Sequence, residues 1–423
     1  MLGIRKQLGE LILVGVVALA AFASPDSAAA GGFRVLHFFK RTVTDGKYDG
    51  THPEAGLIID NAGNLYGTTD DGGGPEDVFH GTVFKLAPDG TETVLHAFQS
   101  GGSDGYFPNS ELIADADGNL YGTTTSGGGN GCEGSGCGTV FRVTPDGAET
   151  VLYAFKGGRD GSYPLGALLM DKKGNLFGTT VDNGSNHCSG FGCGTVFKLA
   201  PDGTETVRYA FKGGNDGASP LAGLIADDAG NLYGATESGG AGFCDSEGCG
   251  TVFKLAPDGT ETVLHRFKSG KDGAAPFGRL LADDAGNLYG TTYDGGGDGC
   301  SGYGCGTVFK LAPDGTETIL YSFAGGSDGE NPGAGLIADA AGNLYGTTIL
   351  GGGGCLGNGC GTVFRLAPDG AETVLYAFLK SRDGDRLYGE LIRDKAGNLY
   401  STTAVGGRGC HNVGCGVVFE ITP

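Results

Sequence analysis

The feature that most constrains the fold is a repeat of 55–56 residues that begins after residue 33. The string G-N-L-[YF] occurs seven times, and a second string, G-[TV]-V-F, follows each copy. Seven copies at a nearly fixed period leave no room for an independent second domain, so the repeats predict a single repeat domain over residues 31–423. The first string begins at Gly63, Gly118, Gly174, Gly230, Gly286, Gly342 and Gly397.

Each repeat contains four short runs that are typical of β-strands. In the fourth repeat they are residues 224–226, 231–234, 251–255 and 262–265, bounded by Gly, Pro, Asp or Asn. The link between the third and fourth runs places Pro257 and Gly259 where a tight turn favours them. No run has the 3.6-residue period of an amphipathic helix. Four antiparallel strands in seven copies predict an all-β, seven-bladed β-propeller.

The two ends of the repeat region predict a closed ring. Residues 35–38 match the fourth strand of a repeat without a preceding first three, and residues 417–421 match a third strand without a following fourth. The N-terminal strand is therefore expected to complete the last blade. Strict register would then place Phe33, and not Arg34, opposite Glu420. If Pro-Asp forms the centre of the third turn, Lys85 faces Glu92, and an opposite-charge pair recurs at this spacing in six repeats.

The chain of 423 residues has properties of an exported protein. Arg5 and Lys6 precede an apolar run, and small residues follow, so residues 1–30 predict a signal peptide. The run, at about 13 residues, is too short for a membrane anchor. We expect no membrane insertion after cleavage, and a monomer in the periplasm or outside the cell. The net charge of −21 argues against nucleic acid as a partner.

All 12 cysteines form six C-x4-C pairs in the long second link of six repeats. Glycine-rich spacers would let each loop fold back to bridging distance. Six local disulfides are the favoured interpretation, while zinc binding and free thiols remain alternatives. A structural zinc site needs four ligands at one point, whereas these pairs belong to different blades. The pairs are Cys132/Cys137, Cys188/Cys193, Cys244/Cys249, Cys300/Cys305, Cys355/Cys360 and Cys410/Cys415.

The repeat unit resembles a known family. Its consensus is G-T-V-F-K-L-A-P-D-G-T-E-T-V-L, then D-G-x-x-P, then L-I-A-D-x-x-G-N-L-Y-G-T-T. This pattern is similar to the GloVer (Gloeo/Verruco) tandem repeat of exported bacterial proteins, and more loosely to NHL-type propeller repeats. The resemblance implies a surface or secreted protein and carries no activity. Family members often end in anchoring or sorting signals, whereas this chain ends just after its last strand, so we expect a free exported protein.

Residues repeated in every unit are expected to be scaffold. Two sets of aspartates are therefore predicted to form turns by accepting backbone N–H bonds. Calcium is a possible second use of these turns, although none has the spacing of an EF-hand loop. We otherwise expect no metal site and no cofactor. The first set is Asp60, Asp115, Asp171, Asp227, Asp283, Asp339 and Asp394, and the second is Asp104, Asp160, Asp216, Asp272 and Asp328.

Function is better sought where the repeats differ. Glu111, Arg279 and Glu390 are charged at a position, just before the first strand, where the other repeats have Gly or Ala. We expect all three near the mouth of the central channel, where two carboxylates and an arginine could bind or act on a polar ligand. The alternative is a solvated rim charge. Arg393 also replaces a small or apolar residue in the last repeat.

Two histidines and several aromatic residues complete the candidate set. His52 and His80 belong to the first repeat, whose long loop lacks cysteine. Aromatic residues of the same face, which include Tyr106, Tyr163, Phe277 and Tyr303, could stack on sugars or hold a peptide; the alternative is that they cover glycine-rich backbone. No G-x-S-x-G, P-loop or H-E-x-x-H motif occurs.

Two functions remain open from the sequence. The first is a non-catalytic, exported scaffold that binds a glycan or a protein. The second is a secreted polysaccharide lyase or hydrolase with Glu111, Glu390, Arg279 and His52 or His80 around the channel. Convergence of these side chains to within about 8 Å would be compatible with paired-carboxylate chemistry.

Overall fold

Seven antiparallel sheets, six of four strands and one of five, form a β-propeller in the computed structural model. The structure describes residues 32–423 except 41–42, 45–46, 75–79, 100–102, 186–187, 189–191, 241, 243, 245–247, 358, 380–381, 409 and 411–413. The predicted signal peptide lies outside the described residues. The fold class and the four strands per blade are confirmed.

Each blade takes its four strands consecutively from one repeat, except the last blade. Blade 1 comprises Ile58–Ile59, Leu65–Thr69, Thr82–Leu86 and Glu92–Ala97; blade 2, Ile113–Ala114, Leu120–Thr124, Thr139–Val143 and Glu149–Ala154; blade 3, Leu169–Met170, Leu176–Thr180, Thr195–Leu199 and Glu205–Ala210; blade 4, Ile225–Ala226, Leu232–Thr236, Thr251–Leu255 and Glu261–Arg266. Blade 5 comprises Leu281–Ala282, Leu288–Asp294, Thr307–Leu311 and Glu317–Ser322; blade 6, Ile337–Ala338, Leu344–Thr348, Thr362–Leu366 and Glu372–Ala377; blade 7, Ile392–Arg393, Leu399–Thr403, Val417–Thr422 and Gly32–Phe38.

The remaining elements are short. Two-residue strands pair Val43–Thr44 with Lys47–Tyr48, Gly50–Thr51 with Asp71–Gly72, and Gly105–Tyr106 with Ser126–Gly127, and Ala274–Pro276 extends blade 5. Within the described part of the chain, helical segments are limited to 3-10 turns at Cys132–Gly134, Gly158–Asp160, Gly214–Asp216, Gly270–Asp272, Cys300–Gly302, Gly326–Asp328 and Cys355–Gly357. Among those same residues, no helix has the length and apolar character required to span a bilayer.

The N-terminal strand closes the ring as predicted, by pairing with Val417–Thr422, the third strand of blade 7. The register differs by one residue from the expected one. Arg34, and not Phe33, faces Glu420, and the Arg34 Nε donates to the Glu420 carboxylate at 2.9 Å. Phe33 faces Ile421 and stacks on Tyr376 of blade 6 with ring centroids 4.0 Å apart. Ring closure therefore combines a cross-strand ion pair with aromatic packing on the next blade.

The hydrophobic core lies between blades. A phenylalanine just after each fourth strand meets, edge to face, a phenylalanine in the third strand of the following blade. The centroid distances are 5.1–5.2 Å, and the Phe39–Phe84 pair joins the N-terminal segment to blade 1 in the same way. Each pair adds about 0.5–1.5 kcal/mol beyond area burial. The others are Phe98–Phe141, Phe155–Phe197, Phe211–Phe253, Phe267–Phe309, Phe323–Phe364 and Phe378–Phe419.

The predicted Lys–Glu pairing across the third turn is wrong. Lys85 faces Thr93, and Glu92 faces Leu86. The reason is that Ala87 and Thr91 pair at the end of the hairpin, so the loop between them consists of residues 88–90. The Lys85 ammonium lies 5.8 Å from the centroid of the Tyr66 ring on the second strand instead. A shift of one residue reverses which face of a strand a side chain points to, so the glutamate turns toward the neighbouring blade.

The predicted role of the repeated aspartates is confirmed. Asp60 Oδ1 accepts the backbone N–H bonds of Ala62 and Asn64, and its Oδ2 accepts bonds from the Asn64 amide and the Tyr66 hydroxyl. In the second set, one carboxylate oxygen accepts a backbone N–H from a residue four or five positions earlier, such as Lys156 for Asp160. Both sets of carboxylates therefore hold turns.

Candidate functional site

The three charged residues predicted near the channel come together across the ring. The Arg279 guanidinium lies 2.9 Å from the Glu390 carboxylate and 3.6 Å from that of Glu111. These residues belong to blades 5, 7 and 2, which are not neighbours, so they can meet only near the propeller axis. Each precedes the first strand of its blade, and this strand therefore lines the channel. We call Glu111, Arg279 and Glu390 the channel triad.

Small residues at the equivalent positions make room for the channel triad. A Cβ atom on Gly335 would lie 2.3 Å from Glu390 Oε1 and 2.8 Å from the Arg279 carbonyl oxygen. The Glu390 carboxylate thus fills the space that a larger residue in blade 6 would need. Ser401 holds the backbone at Glu390 in place, since its hydroxyl donates to the carbonyls of Gly389 and Glu390 at 3.0 and 3.2 Å.

The electrostatics of the channel triad favour one shared proton. Burial, followed by the negative charge of Glu390, raises the pKa of Glu111 to about 8, although Arg279 opposes this. Burial lowers the pKa of the Arg279 guanidinium, but the two glutamates outweigh it, and the arginine stays charged. At neutral pH the triad is therefore close to neutral.

The channel triad has little access for a substrate. The Glu111 and Glu390 side chains are 13% and 11% exposed. Carboxylates that hydrolyse glycosides are about 5–9.5 Å apart, which leaves space for the bond or the water between them. Here one guanidinium nitrogen of Arg279 lies 3.6 Å from the Glu111 carboxylate and 2.9 Å from that of Glu390, so the arginine joins the two carboxylates. This arrangement suits a connection between three blades better than an acid–base pair around a sugar.

The two candidate histidines lie elsewhere on the same face. His52 Nδ1 is 3.0 Å from Asp71, beside the blade 7 to blade 1 link. His80 occupies the position that the second cysteine holds in the other repeats, and its carbonyl accepts the Phe107 N–H as a cysteine carbonyl does in later blades. Burial lowers the pKa of His80. The ion pairs of the channel triad include neither histidine.

The other candidate residues are scattered. Arg393 is exposed and ends its strand at the turn opposite the long link, so it lies at the other end of the channel from Glu390. The Tyr106 hydroxyl donates to the Ser135 carbonyl at 2.7 Å and covers a cysteine loop. Tyr303 is 65% exposed on another such loop.

Tyr163 and Phe277 belong to the links between blades, and the Tyr163 N–H donates to the Cys137 carbonyl on the face of the cysteine loops. One position there has the same backbone in all seven blades but a different side chain in each. Its φ is +53° to +60°, and its N–H donates to a carbonyl next to the preceding G-[TV]-V-F string. We call these seven residues the mouth ring: His52, Phe107, Tyr163, Ser219, Ala275, Asn331 and Arg386.

The blade 1 sector of the mouth is acidic. Burial, and then the charges of Glu54 and Asp71, raise the pKa of Asp70 to about 7, although a hydrogen bond from Asn109 opposes this. Burial also raises the pKa of Glu54, against the effect of His52 and Arg386. These carboxylates are therefore held close together on one side of the mouth.

Tyrosines lie beside this acidic sector. Burial raises the pKa of Tyr388, and Arg386 and Glu54 are near enough to affect it. Tyr293 of blade 5 in turn interacts electrostatically with Tyr388 of blade 7. The mouth thus combines carboxylates with aromatic rings.

All six predicted disulfides are present on the same face. The Cα atoms of each pair are 5.0–5.4 Å apart. Closing a ring of this size stabilises the native state by roughly 2 kcal/mol on the loop-entropy model. Disulfides persist in oxidising compartments, so the six bonds fit an exported protein. They hold the long loops that surround the mouth.

The two cysteines of each bridge differ in burial, which the spacing did not predict. The second cysteine is a core residue, at most 1% exposed, and it packs with the apolar residues between two blades, whereas the first is only partly buried. The bridges therefore anchor the loops to the core through their second cysteine. The buried members are Cys137, Cys193, Cys249, Cys305, Cys360 and Cys415.

Sequence reasoning missed several residues of this region. Ser401 carries a visible signal, because it stands where the other six repeats have glycine in the second strand. Asp70 and Glu54 also differ from the other repeats, but nothing in the repeat pattern indicates that residues 16 positions apart converge. Tyr388 follows Leu387, which replaces the proline found in the other six links.

Solved structures with a similar fold include extracellular domains. The chain aligns with the extracellular domain of a protein described as a hybrid two-component system from B. thetaiotaomicron, at 12% identity and a TM-score of 0.52, over 92% of this chain and 41% of that one. A second such domain from the same organism gives 9% identity and a TM-score of 0.52 over 91% and 39%. This chain therefore spans about two fifths of those domains.

A protein described as an oxidoreductase (glucose dehydrogenase) from Thermus thermophilus aligns at 15% identity, with a TM-score of 0.45, over 92% of this chain and 99% of that one. At these identities, structural similarity can show the fold alone. Among proteins of curated function, none matches this sequence. The model of the Gloeobacter/Verrucomicrobia repeat matches twice, over residues 26–245 and 243–423. The chain therefore belongs to the Gloeobacter/Verrucomicrobia repeat family.

Proposed function

We propose that this protein is an exported, non-catalytic scaffold that binds a glycan at the mouth of its channel. The mouth ring carries the proposal, because seven positions with the same backbone carry seven different side chains, of which all but the buried Asn331 are at least partly exposed. A scaffold that keeps its backbone and varies its side chains is typical of a binding surface on a rigid fold. In this proposal the channel triad has a structural role in the channel and does not contact the ligand.

The chemistry of the mouth favours a neutral or amino sugar. Aromatic rings such as Tyr163, Phe277 and Tyr388 offer apolar faces to a pyranose ring, and the carboxylates of Glu54 and Asp70 can accept bonds from hydroxyl or ammonium groups. The acidic sector and the net charge of −21 would repel a uronic-acid polymer. A protein ligand with a basic segment remains an outcome of the test.

The test is a glycan array followed by calorimetric titration of the strongest binder. Tyr388→Ala and Asp70→Asn should each weaken binding about tenfold, which corresponds to about 1.4 kcal/mol. Arg393→Ala is the matched control, because Arg393 is exposed at the opposite end of the channel and should have no effect. No glycan binder, or equal loss in all three variants, would contradict the proposal.

A second candidate function is a polysaccharide lyase or hydrolase that uses the channel triad. The convergence of Glu111, Arg279 and Glu390 favours it. A polysaccharide-degradation screen with the wild type, Glu111→Gln and Glu390→Gln separates the two functions. Turnover that both variants abolish would support the enzyme, whereas binding without turnover in all three proteins would support the scaffold.

A further inference from the structure

The five consecutive interfaces from blade 1 to blade 6 contain a polar cluster of one plan. A residue of the fourth strand, His or Tyr, approaches the aspartate of the following link, and the glutamate that begins the next blade's fourth strand lies beside them. In three clusters the first residue is tyrosine and its hydroxyl donates to the aspartate at 2.6–2.7 Å. These are Tyr153/Asp160/Glu205, Tyr209/Asp216/Glu261 and Tyr321/Asp328/Glu372.

Histidine replaces this tyrosine in two clusters whose three polar atoms lie within 4.8 Å of one another. They are His96/Asp104/Glu149, between blades 1 and 2, and His265/Asp272/Glu317, between blades 4 and 5. The ring keeps its packing: His96 meets Phe98, and His265 meets Phe267, with centroids 4.8 Å apart in both cases.

The histidine clusters do not reproduce the hydrogen bond of the tyrosine clusters. His96 Nε2 is 3.7 Å from the Asp104 carboxylate, and His265 Nε2 is 3.5 Å from that of Asp272. Both Nε2 atoms are buried without a hydrogen-bond partner among the described residues. The glutamate Oε1 lacks a partner in the histidine clusters and the tyrosine clusters alike, so the histidine nitrogen is the atom that distinguishes these two clusters. A buried polar atom without a partner costs roughly 1–3 kcal/mol, so an arrangement that occurs twice calls for an occupant.

The spacing suits a small divalent cation. Zinc binds imidazole nitrogen and carboxylate oxygen at about 2.0–2.2 Å, so two ligands of a tetrahedral ion are about 3.3–3.6 Å apart. One neutral imidazole and two carboxylates balance its charge. We propose that these two clusters are divalent transition-metal sites, each joining adjacent blades through one histidine, one aspartate and one glutamate.

The surroundings rank the two sites. At the second site the positive charge of Lys268 lies near His265 and Glu317 and opposes the binding of a cation. At the first site the uncharged Gln99 stands at the equivalent position. The site with His96 should therefore bind more tightly. Its histidine is 19% exposed, so an ion can enter from solvent.

The test measures ions bound by the purified, full-length chain without an affinity tag. Zinc chloride titration at pH 7.5, with bound zinc counted by atomic emission, should give two ions more for the wild type than for the His96→Tyr/His265→Tyr double variant. That variant keeps the other five histidines as background. Cobalt chloride should give visible absorption bands in the wild type that the double variant lacks. Equal zinc content in both proteins would overturn the proposal.

The chain also offers a gain-of-site variant. Tyr321→His places an imidazole beside Asp328 and Glu372 at an interface where Ala324 occupies the position of Lys268, so it should bind one further zinc ion. Tyr303→His, on an exposed loop, controls for an added histidine and should bind none. Folding of each variant is checked by its thermal transition without metal. An equal gain in both would also refute the proposal.

Discussion

A single proton decides the charge of the channel triad. With Glu111 protonated, the Arg279 cation and the Glu390 anion form a neutral set; without that proton, two buried carboxylates share one cation. Like charges in a poorly solvated site raise the pKa of one of them. The triad is thus most stable where Glu111 keeps its proton.

This charge balance predicts a pH-dependent effect of Glu111→Gln. The folded-state pKa of Glu111, about 8, lies above its ordinary value of 4.5, so its stabilising contribution is complete below pH 4.5 and is lost as the pH rises toward 8. Glutamine cannot ionise. Relative to the wild type, the variant should gain on the order of 2 kcal/mol in unfolding free energy between pH 5 and pH 9.

Urea unfolding at the two pH values measures this gain. Glu133→Gln is the control, because Glu133 is an exposed loop residue. A difference between Glu111→Gln and the wild type that does not change with pH would show that Glu111 is ionised throughout the range.

At this scale the sequence was sufficient to find the channel triad and insufficient to find its surroundings. Charges at a position where other repeats have Gly or Ala stand out in a repeat, so Glu111, Arg279 and Glu390 could be selected. The expectation that His52 or His80 joins them did not follow from any spacing, and His52 pairs with Asp71. Contacts between links depend on how the backbone turns, which the repeat pattern does not specify.

Two kinds of turn hold the blades, a polar one in all seven and a covalent one in every blade but the first. In the first, Asp283 Oδ1 accepts the N–H bonds of Ala285 and Asn287, while Oδ2 accepts the Asn287 amide and the Tyr289 hydroxyl. Slight burial opposes ionisation, but these hydrogen bonds outweigh it and lower the pKa of Asp283. The second kind is the disulfide loop.

Asp283→Ala should therefore destabilise the protein in a pH-dependent way. Loss of these bonds should cost about 1–2 kcal/mol at pH 7. Because the folded-state pKa lies below the ordinary value of 3.8, the stabilisation is present above that value and fades as the pH falls through the folded-state pKa. Thermal unfolding at pH 7 and pH 3 measures it, and the neighbouring Asp284→Ala is the control. An equal cost at both pH values would argue against the ionised carboxylate.

The disulfide loops predict a local loss of stability. Replacing both Cys300 and Cys305 by alanine should lower the unfolding free energy by about 2 kcal/mol under oxidising conditions. Tyr303→Ala changes the same loop, keeps the bond and should have little effect, because Tyr303 is largely exposed. Urea unfolding with and without reductant compares the double cysteine variant, Tyr303→Ala and the wild type. If the double variant matched the wild type, the loop would not depend on its disulfide.

Element positions were predictable, but the register of the third turn was not. Glycine, proline and aspartate mark the ends of the strands, and all seven repeats agree on them. The charge pattern suggested Lys85 opposite Glu92, yet the turn closed by Ala87 and Thr91 contains one residue more than that pairing allows. Glu149 and its equivalents therefore turn toward the preceding blade, where they meet the aspartates of the inter-blade clusters.

Closure makes the whole molecule cooperative, since the N-terminal strand belongs to the last blade. Phe39 packs on Phe84 of blade 1, and Phe33 packs on Tyr376 of blade 6, so this strand contacts both neighbours of blade 7. Its loss would expose the edge strand Val417–Thr422, whose Phe419 and Ile421 are fully buried. An unpaired edge strand promotes association with other chains.

A charge swap tests this closure without removing the strand. Arg34→Glu places two carboxylates opposite each other at Glu420 and should lower the unfolding free energy by about 1 kcal/mol. Adding Glu420→Lys should restore it, because six other blades already have lysine or arginine at this third-strand position, facing the second-strand aromatic residue. Thermal unfolding of both single variants and the double variant gives the coupling energy. Strictly additive losses would mean that Arg34 and Glu420 are not partners, and the ring would have to close in another register.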